Sequence, residues 1–238
     1  MLKLVVNADD KLDDIIITED TSIEINLENC NKSINIDVME DKCLEVFERD
    51  INTNNQINYN IRANSTVIVN KISRDNSDIT RVNLNGENAS IKYHSSILNY
   101  NDNVYDIKIF HNKDNTYSDV INHAINFTDT EFKFLVDSKI DKKLKGCICN
   151  QDSKIINMKN GHNYITPNLL IDSEDIEAEH AAYIGKFKES EIFYLMSRGI
   201  SFKDSEKLLA NGFLLNKMNL TGSDLEDFNK FIEDNFNM

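Results

Sequence analysis

Two places in the chain hold residue types suited to metal chemistry. His180 lies between Glu179 and the small pair Ala181-Ala182. A neutral imidazole is a common metal ligand, and a carboxylate beside it can fix the ring's orientation. Taken bare, His180 fits a surface or half-buried histidine at a strand-to-helix corner more readily than a ligand. Cys147 and Cys149 form the second place. On a strand, positions i and i+2 face one side about 6.5–7 Å apart, so both sulfurs can approach one soft metal. Two inward thiols that only fill space explain the same pattern.

The remaining candidates are weaker. His94, His111, His123 and His162 show no metal-site spacing, and His111 reads as a structural corner residue. Cys30 and Cys43 are expected to be buried small hydrophobes. There is no Gly-rich phosphate loop of the G-x-x-x-x-G-K-[ST] type, no G-x-S-x-G elbow and no H-E-x-x-H helix. The chain is therefore expected not to bind or hydrolyse ATP itself. Forty acidic against 26 basic residues leave a formal charge of −14. That balance repels nucleic-acid phosphate and favours cationic partners. No apolar run reaches the length of a membrane span, and the start, MLKLVVNADD, is unlike a signal peptide. A cytoplasmic location is expected, and four cysteines in such a compartment do not make a disulfide framework.

These candidates must be held by the elements around them. Across residues 1–160 apolar residues alternate in short runs: Leu2, Leu4 and Val6; Ile23, Ile25 and Leu27; Ile34, Ile36 and Val38; Tyr105, Ile107 and Ile109. Polar, asparagine-rich clusters separate them. Short strands with turns every ten to twelve residues predict a sandwich, a barrel or a β-solenoid, and no strict repeat chooses among the three. Leu169 and Ile171, after the single proline Pro167, read as a last half-buried strand. Beyond Gly185 the apolar period changes to that of a helix. Ile192, Phe193, Leu195 and Met196 predict a helix stopped by Gly199. Ser201-x-x-Asp204 starts a second that ends at Gly212, and Ser223-x-x-Glu226 starts a third. A boundary near residue 186 divides a β core, 1–186, from a helical region, 187–238.

The stretch TPNLLIDSEDIEAEHAAYIGKFKESEIFYLMSRGISFKDSEKLLANGF, residues 166–213, resembles the C-terminal signature of the SufB/SufD family. Its elements run in order: P-x-L-x-I, an acidic stretch, A-x-H-x-A, G-K, I-F-Y-L-x-S-R-G-I and L-L-x-x-G-F. A looser likeness upstream includes Asn83 to Ala89, and His111 with Ser118, so the resemblance spans roughly residues 65–215. Members of that family are scaffold proteins of an iron–sulfur cluster assembly machine.

The resemblance implies a right-handed parallel β-helix followed by a C-terminal α-helical region. It implies a non-enzymatic scaffold subunit that docks a SufC-type ATPase, with ATP entering only through that partner. The partner-binding residues would be Phe193, Tyr194, Arg198, Leu209 and Phe213; the alternative role for segment 189–213 is an amphipathic cap over the solenoid's end. Iron or a transient iron–sulfur cluster would be held by His180 with Glu179, and by Cys149 and Cys147. Ala181 stands where SufB-like members carry a glutamate, so the chain looks more SufD-like there. Counting back by the family's spacing, the SufB-like cysteine falls near Gln151 or Asp152 rather than on Cys149. Pairing as a homodimer, or as a heterodimer with a SufB/SufD-like subunit, is implied too. The chain resembles a short, minimal form without the family's long N-terminal helical extension. Two readings from other classes remain: a metal-free structural solenoid that mediates oligomerisation, and a carbohydrate-active β-helix protein.

Overall fold

The computed structural model describes residues 1–218 and 220–236. The chain winds into a parallel β-helix in which every turn gives one strand to each of two sheets. Chain order begins β1 (Leu2–Asn7), β2 (Asp14–Ile17), β3 (Thr21–Glu28), β4 (Ser33–Val38) and β5 (Cys43–Ile51). It continues with β6 (Asn54–Ile61), β7 (Thr66–Arg74), β8 (Ser77–Leu84), β9 (Ser90–Asn99) and β10 (Asn103–His111). The last coils hold β11 (Tyr117–Asn126), β12 (Glu131–Ile140), β13 (Cys147–Asn157), β14 (His162–Ile171) and β15 (Ile176–Gly185). The eight odd-numbered strands form one sheet and the seven even-numbered strands the other, each in sequence order. Every pairing is parallel, so a sandwich or closed barrel is excluded.

Asparagine builds the corners. Asn29, Asn52 and Asp75 hold positive φ of 51–52°, and Asp41, Asn64 and Asn88 hold 56–58°. Asn and Asp tolerate that left-handed conformation better than other non-glycine residues. Stacked corners also bond to one another: Asn52 Nδ2 donates to Asn29 Oδ1 at 3.1 Å, Asn64 to Asp41 at 3.0 Å and Asn88 to Asn64 at 2.9 Å. The coils from β3 to β7 and from β4 to β8 therefore repeat every 23 residues, as in the pairing of Cys43 with Thr66, and the next lengthens to 24, a period that the alternation of apolar residues does not reveal. At the Asn85-Gly86 corner the next coil presses so close that a Cβ on Gly86 would lie 1.9 Å from Ala63 N.

Inside, equivalent residues stack in files. Ile23, Val46, Val69, Tyr93 and Val120 occupy one row across the larger sheet, all buried. From the other sheet, Tyr105, Phe132 and Phe134 meet edge-on, the last two with centroids 5.0 Å apart. Each coil buries its side chains only against the coils before and after it. Cys30 and Cys43 are only partly buried: Cys30 packs against the edge of this core, whereas Cys43 faces outward on β5.

Three helices follow: α1 (Glu189–Ser197), α2 (Phe202–Leu215) and α3 (Ser223–Asn235). Gly199, at φ 88°, lies just beyond α1 as expected. Ser201 caps α2, its Oγ accepting from Asp204 N at 3.1 Å. Two of the expected boundaries differ. Gly212 lies within α2, exposed and with open space around it, so nothing there forces a stop. Ser223 is the first residue of α3 rather than its cap; Gly222, at φ 57°, precedes it without a side-chain capping bond. The helices also do not close the end of the solenoid. Ala210, Leu214, Phe228, Phe231 and Ile232 of α2 and α3 pack on Phe47, Ile72, Leu98, Ile125 and Ile156, on the outer face of the larger sheet. No described helix is long and apolar enough to cross a membrane.

Candidate functional site at the open end of the β-helix

β14 and β15 form the final coil, and each pairs along one edge only. His180 stands opposite Gln151, and Ala178 opposite Cys149. Strand alternation puts Ala178, His180 and Ala182 in the inward row, yet His180 is exposed because no further coil covers it. Glu179, opposite Asn150, belongs to the outward row. The two neighbours thus project to opposite faces, and Glu179 is not placed to orient the ring of His180. Gln151, the position reached by counting back, is buried and directly beside His180; its Nε2 donates to Ser138 Oγ at 2.8 Å while Oε1 has no partner.

Cys147 and Cys149 face inward one coil earlier, both buried and reduced. With Ile140 they form a small apolar cluster under Leu169, Ile171 and Ala178 of the last coil. Burial, ahead of the bonds offered by Ser138 and Ser118, pushes the Cys149 thiol up, so it stays protonated. Cys149 and His180 occupy diagonal positions on the same face of paired strands.

His111 is a corner residue with both ring nitrogens satisfied, Nδ1 to Thr116 Oγ1 at 2.8 Å and Nε2 to Ser118 Oγ at 2.9 Å. Burial lowers its pKa to about 4. His123 is lowered to about 4 as well, by burial first and the Lys154 ammonium second. Both rings take a proton less readily folded than unfolded, where 6.5 is the ordinary value. Their contribution to stability is therefore complete above pH 6.5 and is lost as pH falls from 6.5 towards 4. For His111 that loss amounts to about 3 kcal/mol. Urea titrations at pH 7, 5.5 and 4.5 are expected to show the decline, and His111→Asn should flatten it; an equally steep decline in the variant would discard the assignment.

The helical candidates separate into two groups. Phe193 is 73% exposed and Tyr194 57%, with the Arg198 guanidinium 5.3 Å from the Tyr194 ring centroid. α1 buries none of its residues. Leu209 and Phe213 are half-buried, and Phe213 stacks on His123 at 4.5 Å while its carbonyl accepts from His123 Nδ1 at 2.9 Å.

One cluster of ionisable groups has no counterpart in the sequence reading. Inside the β-helix the Lys71 ammonium, 1% exposed, donates to Glu48 Oε1 at 2.7 Å and Asp50 Oδ2 at 2.6 Å, and it also contacts Asp78. Asn55 and Asn76 each donate to Asp50 at 3.2 Å, and Asn76 to Asp78 at 2.8 Å. Glu48, Asp50 and Asp78 are the single group of three candidate metal-ligand side chains with converging atoms among the described residues. The lysine already occupies their focus. Burial pushes the Glu48 carboxyl well above the ordinary range, outweighing Lys71, and raises Asp78 to about 6.

A parallel β-helix, open at one end and flanked by helices, defines a β-solenoid whose exposed histidine and bare strand edges lie on its last coil. The chain belongs to the SufBD core domain family of the SUF system for iron–sulfur cluster assembly, whose model matches residues 27–213. That match reaches further towards the N-terminus than the motifs at 65–215. The chain is 30% identical over 96 residues to the iron–sulfur cluster assembly protein SufD of Bacillus subtilis, covering 40% of this chain and 22% of that protein. Against SufB of the same organism it is 28% identical over 109 residues, 45% of this chain and 23% of the relative. A SufBD family protein of Pyrococcus horikoshii is 46% identical over 48 residues, 20% of this chain and 11% of the relative. The matched stretches thus span less than a quarter of these relatives.

Proposed function

We propose that this chain is a scaffold subunit in iron–sulfur cluster assembly. In this reading it is not an enzyme: it docks a SufC-type ATPase through α1 and the start of α2, and offers His180 to iron or a nascent cluster. The observation that carries the reading is α1 itself. An amphipathic helix normally buries its apolar side, whereas this one buries nothing and presents Phe193, Tyr194 and Met196, with Phe202 and Leu208 exposed on α2. Aromatic residues beside an arginine, here Arg198, are the usual anchors of an interface. Leu209 and Phe213, half-buried on α2, belong to the same surface in this reading. The bare edges of β14 and β15 support pairing with a second SufB/SufD-like subunit or a second copy, because unpaired strand edges invite another chain. Iron reaching His180 would be the cargo of the reaction.

Co-expression with a SufC-type ATPase tests the docking. The double variant Phe193→Ala/Tyr194→Ala is expected to weaken the complex by at least about 30-fold, since an aromatic anchor contributes about 2 kcal/mol or more. Its circular dichroism and melting should match the parent, because both side chains are mostly exposed. An ATPase complex retained at parental affinity would end this assignment.

A further inference from the structure

Three Asn-Gly pairs occur in the chain: Asn85-Gly86, Asn160-Gly161 and Asn211-Gly212. Such a pair has a reaction of its own. The main-chain nitrogen of the glycine gives up its proton and attacks the asparagine Cγ; ammonia leaves and a cyclic succinimide remains. Water then opens the ring at either carbonyl, giving aspartate or isoaspartate. Only water is consumed, and nothing is oxidised or reduced. Glycine favours the attack because it has no Cβ to obstruct it and restricts the backbone least. The carboxamide and the next peptide nitrogen must still be free to swing together. The fold treats the three pairs differently in that respect.

Asn211 and Gly212 lie inside α2, where the glycine nitrogen is engaged by the helical hydrogen bond to the preceding turn. Asn211 Nδ2 also donates to Asn229 Oδ1 at 3.3 Å. Asn85 is clamped at a corner. Its main-chain nitrogen donates to Ile61 O at 2.9 Å, and its Oδ1 accepts from Asn112 Nδ2 at 2.9 Å. Gly86 beside it is buried against Ala63. Asn160 is different: it is exposed, and residues 158–161, between β13 and β14, carry neither helix nor strand. Gly161 N donates to no group among the described residues. Asn160 is anchored through its own main-chain nitrogen, which donates to Asp129 Oδ1 at 2.9 Å. Its Oδ1 accepts from the Lys186 ammonium at 3.4 Å. That contact assists the attack, because a cation beside the amide oxygen stabilises the negative charge that develops there.

We propose that Asn160 is a site of self-modification, converting to isoaspartate and aspartate in the folded protein while Asn85 and Asn211 persist. The product places a carboxylate beside Lys186, and the isoaspartate form adds a methylene to the main chain at the corner that leads into β14. Isoaspartate is also the substrate class of enzymes that methylate its carboxylate with S-adenosylmethionine. The site stands whether or not the chain is a cluster scaffold.

Incubation of the full chain at pH 8.5 and 37 °C is the test, in buffer and in urea. Peptide mapping locates the converted residues, and methyl transfer from labelled S-adenosylmethionine by an isoaspartyl methyltransferase counts the isoaspartate. In buffer, Asn160 is expected to convert at least about tenfold faster than Asn85 or Asn211, since each of those must first open locally. In urea the three should convert at similar rates, because the dipeptide alone then decides. Asn160→Gln should remove most of the isoaspartate formed in buffer. Lys186→Met should slow Asn160 by about twofold, the worth of an exposed charge contact. Equal rates for the three in buffer, Asn85 or Asn211 ahead of Asn160, or an Asn160 that converts in urea and not in buffer would each overturn the proposal. An unchanged rate in Lys186→Met would overturn the part given to the lysine.

Discussion

Replacing Lys71 by methionine is expected to destabilise the protein by about 3–5 kcal/mol, since removal of one partner leaves buried charge uncompensated. The loss is not that of one ion pair. Three carboxylates converge on this ammonium, and Asp50 Oδ1 and Asp78 Oδ1 already lack partners. Burial pulls the lysine's pKa down, but Asp50, Asp78 and Glu48 together outweigh it and hold the pKa well above 10.5. A lysine raised on folding contributes stability that is complete below the unfolded value and is lost as pH rises past it. The parent should therefore weaken above about pH 10.5, and Lys71→Met should not share that transition. Asp78, raised to about 6, acts in the same direction at lower pH: its ionisation costs stability as pH climbs from 3.8 to 6. Urea unfolding monitored by circular dichroism measures the effect. A variant within about 1 kcal/mol of the parent would show that water or protons, rather than the lysine, neutralise the carboxylates. Replacing all four groups by apolar or amide residues of similar volume should restore most of the loss, because well-packed neutral cores match buried ion clusters in stability.

Phe228→Ala is expected to remove a further 3–5 kcal/mol, roughly the cost of emptying a buried aromatic site. The effect should be local. Phe228 is fully buried in the cluster that fastens α2 and α3 to the larger sheet, and it takes no part in the interior of the β-helix. Hydrogen exchange should therefore rise across residues 202–235 while the amides of β3 to β11 keep their protection. Uniform acceleration through the sheets would mean that helices and coils unfold as one unit.

How much of this was readable beforehand depended on whether one segment sufficed. Strand alternation in Ile23–Leu27 or Ile34–Val38 is local, and those strands lie where the pattern puts them. The solenoid came from the family resemblance, not from alternation, although Asn29, Asn52 and Asp75 carried the corner period in plain view. Glu48, Asp50 and Lys71 were unreadable as a cluster because charged residues are assumed to face outward; only the register places all three in the interior. Gly212 misled because glycine ends helices where the backbone must turn left-handed, and this one has no such demand. The opposed directions of Glu179 and His180 follow from β15 continuing through both, whereas a corner at that point would have allowed them to converge.

The corner ladder has a consequence for how such a chain can change length. Because Asn29 bonds to Asn52 and Asp41 to Asn64 at the same 23-residue offset, one whole winding is an interchangeable unit. Excising or duplicating 23 residues there keeps every inward side chain inward. Where the next coil is one residue longer, from Val67 to Ile91, both side chains still face inward, so a single extra residue is taken up at a corner while the strands keep their facing.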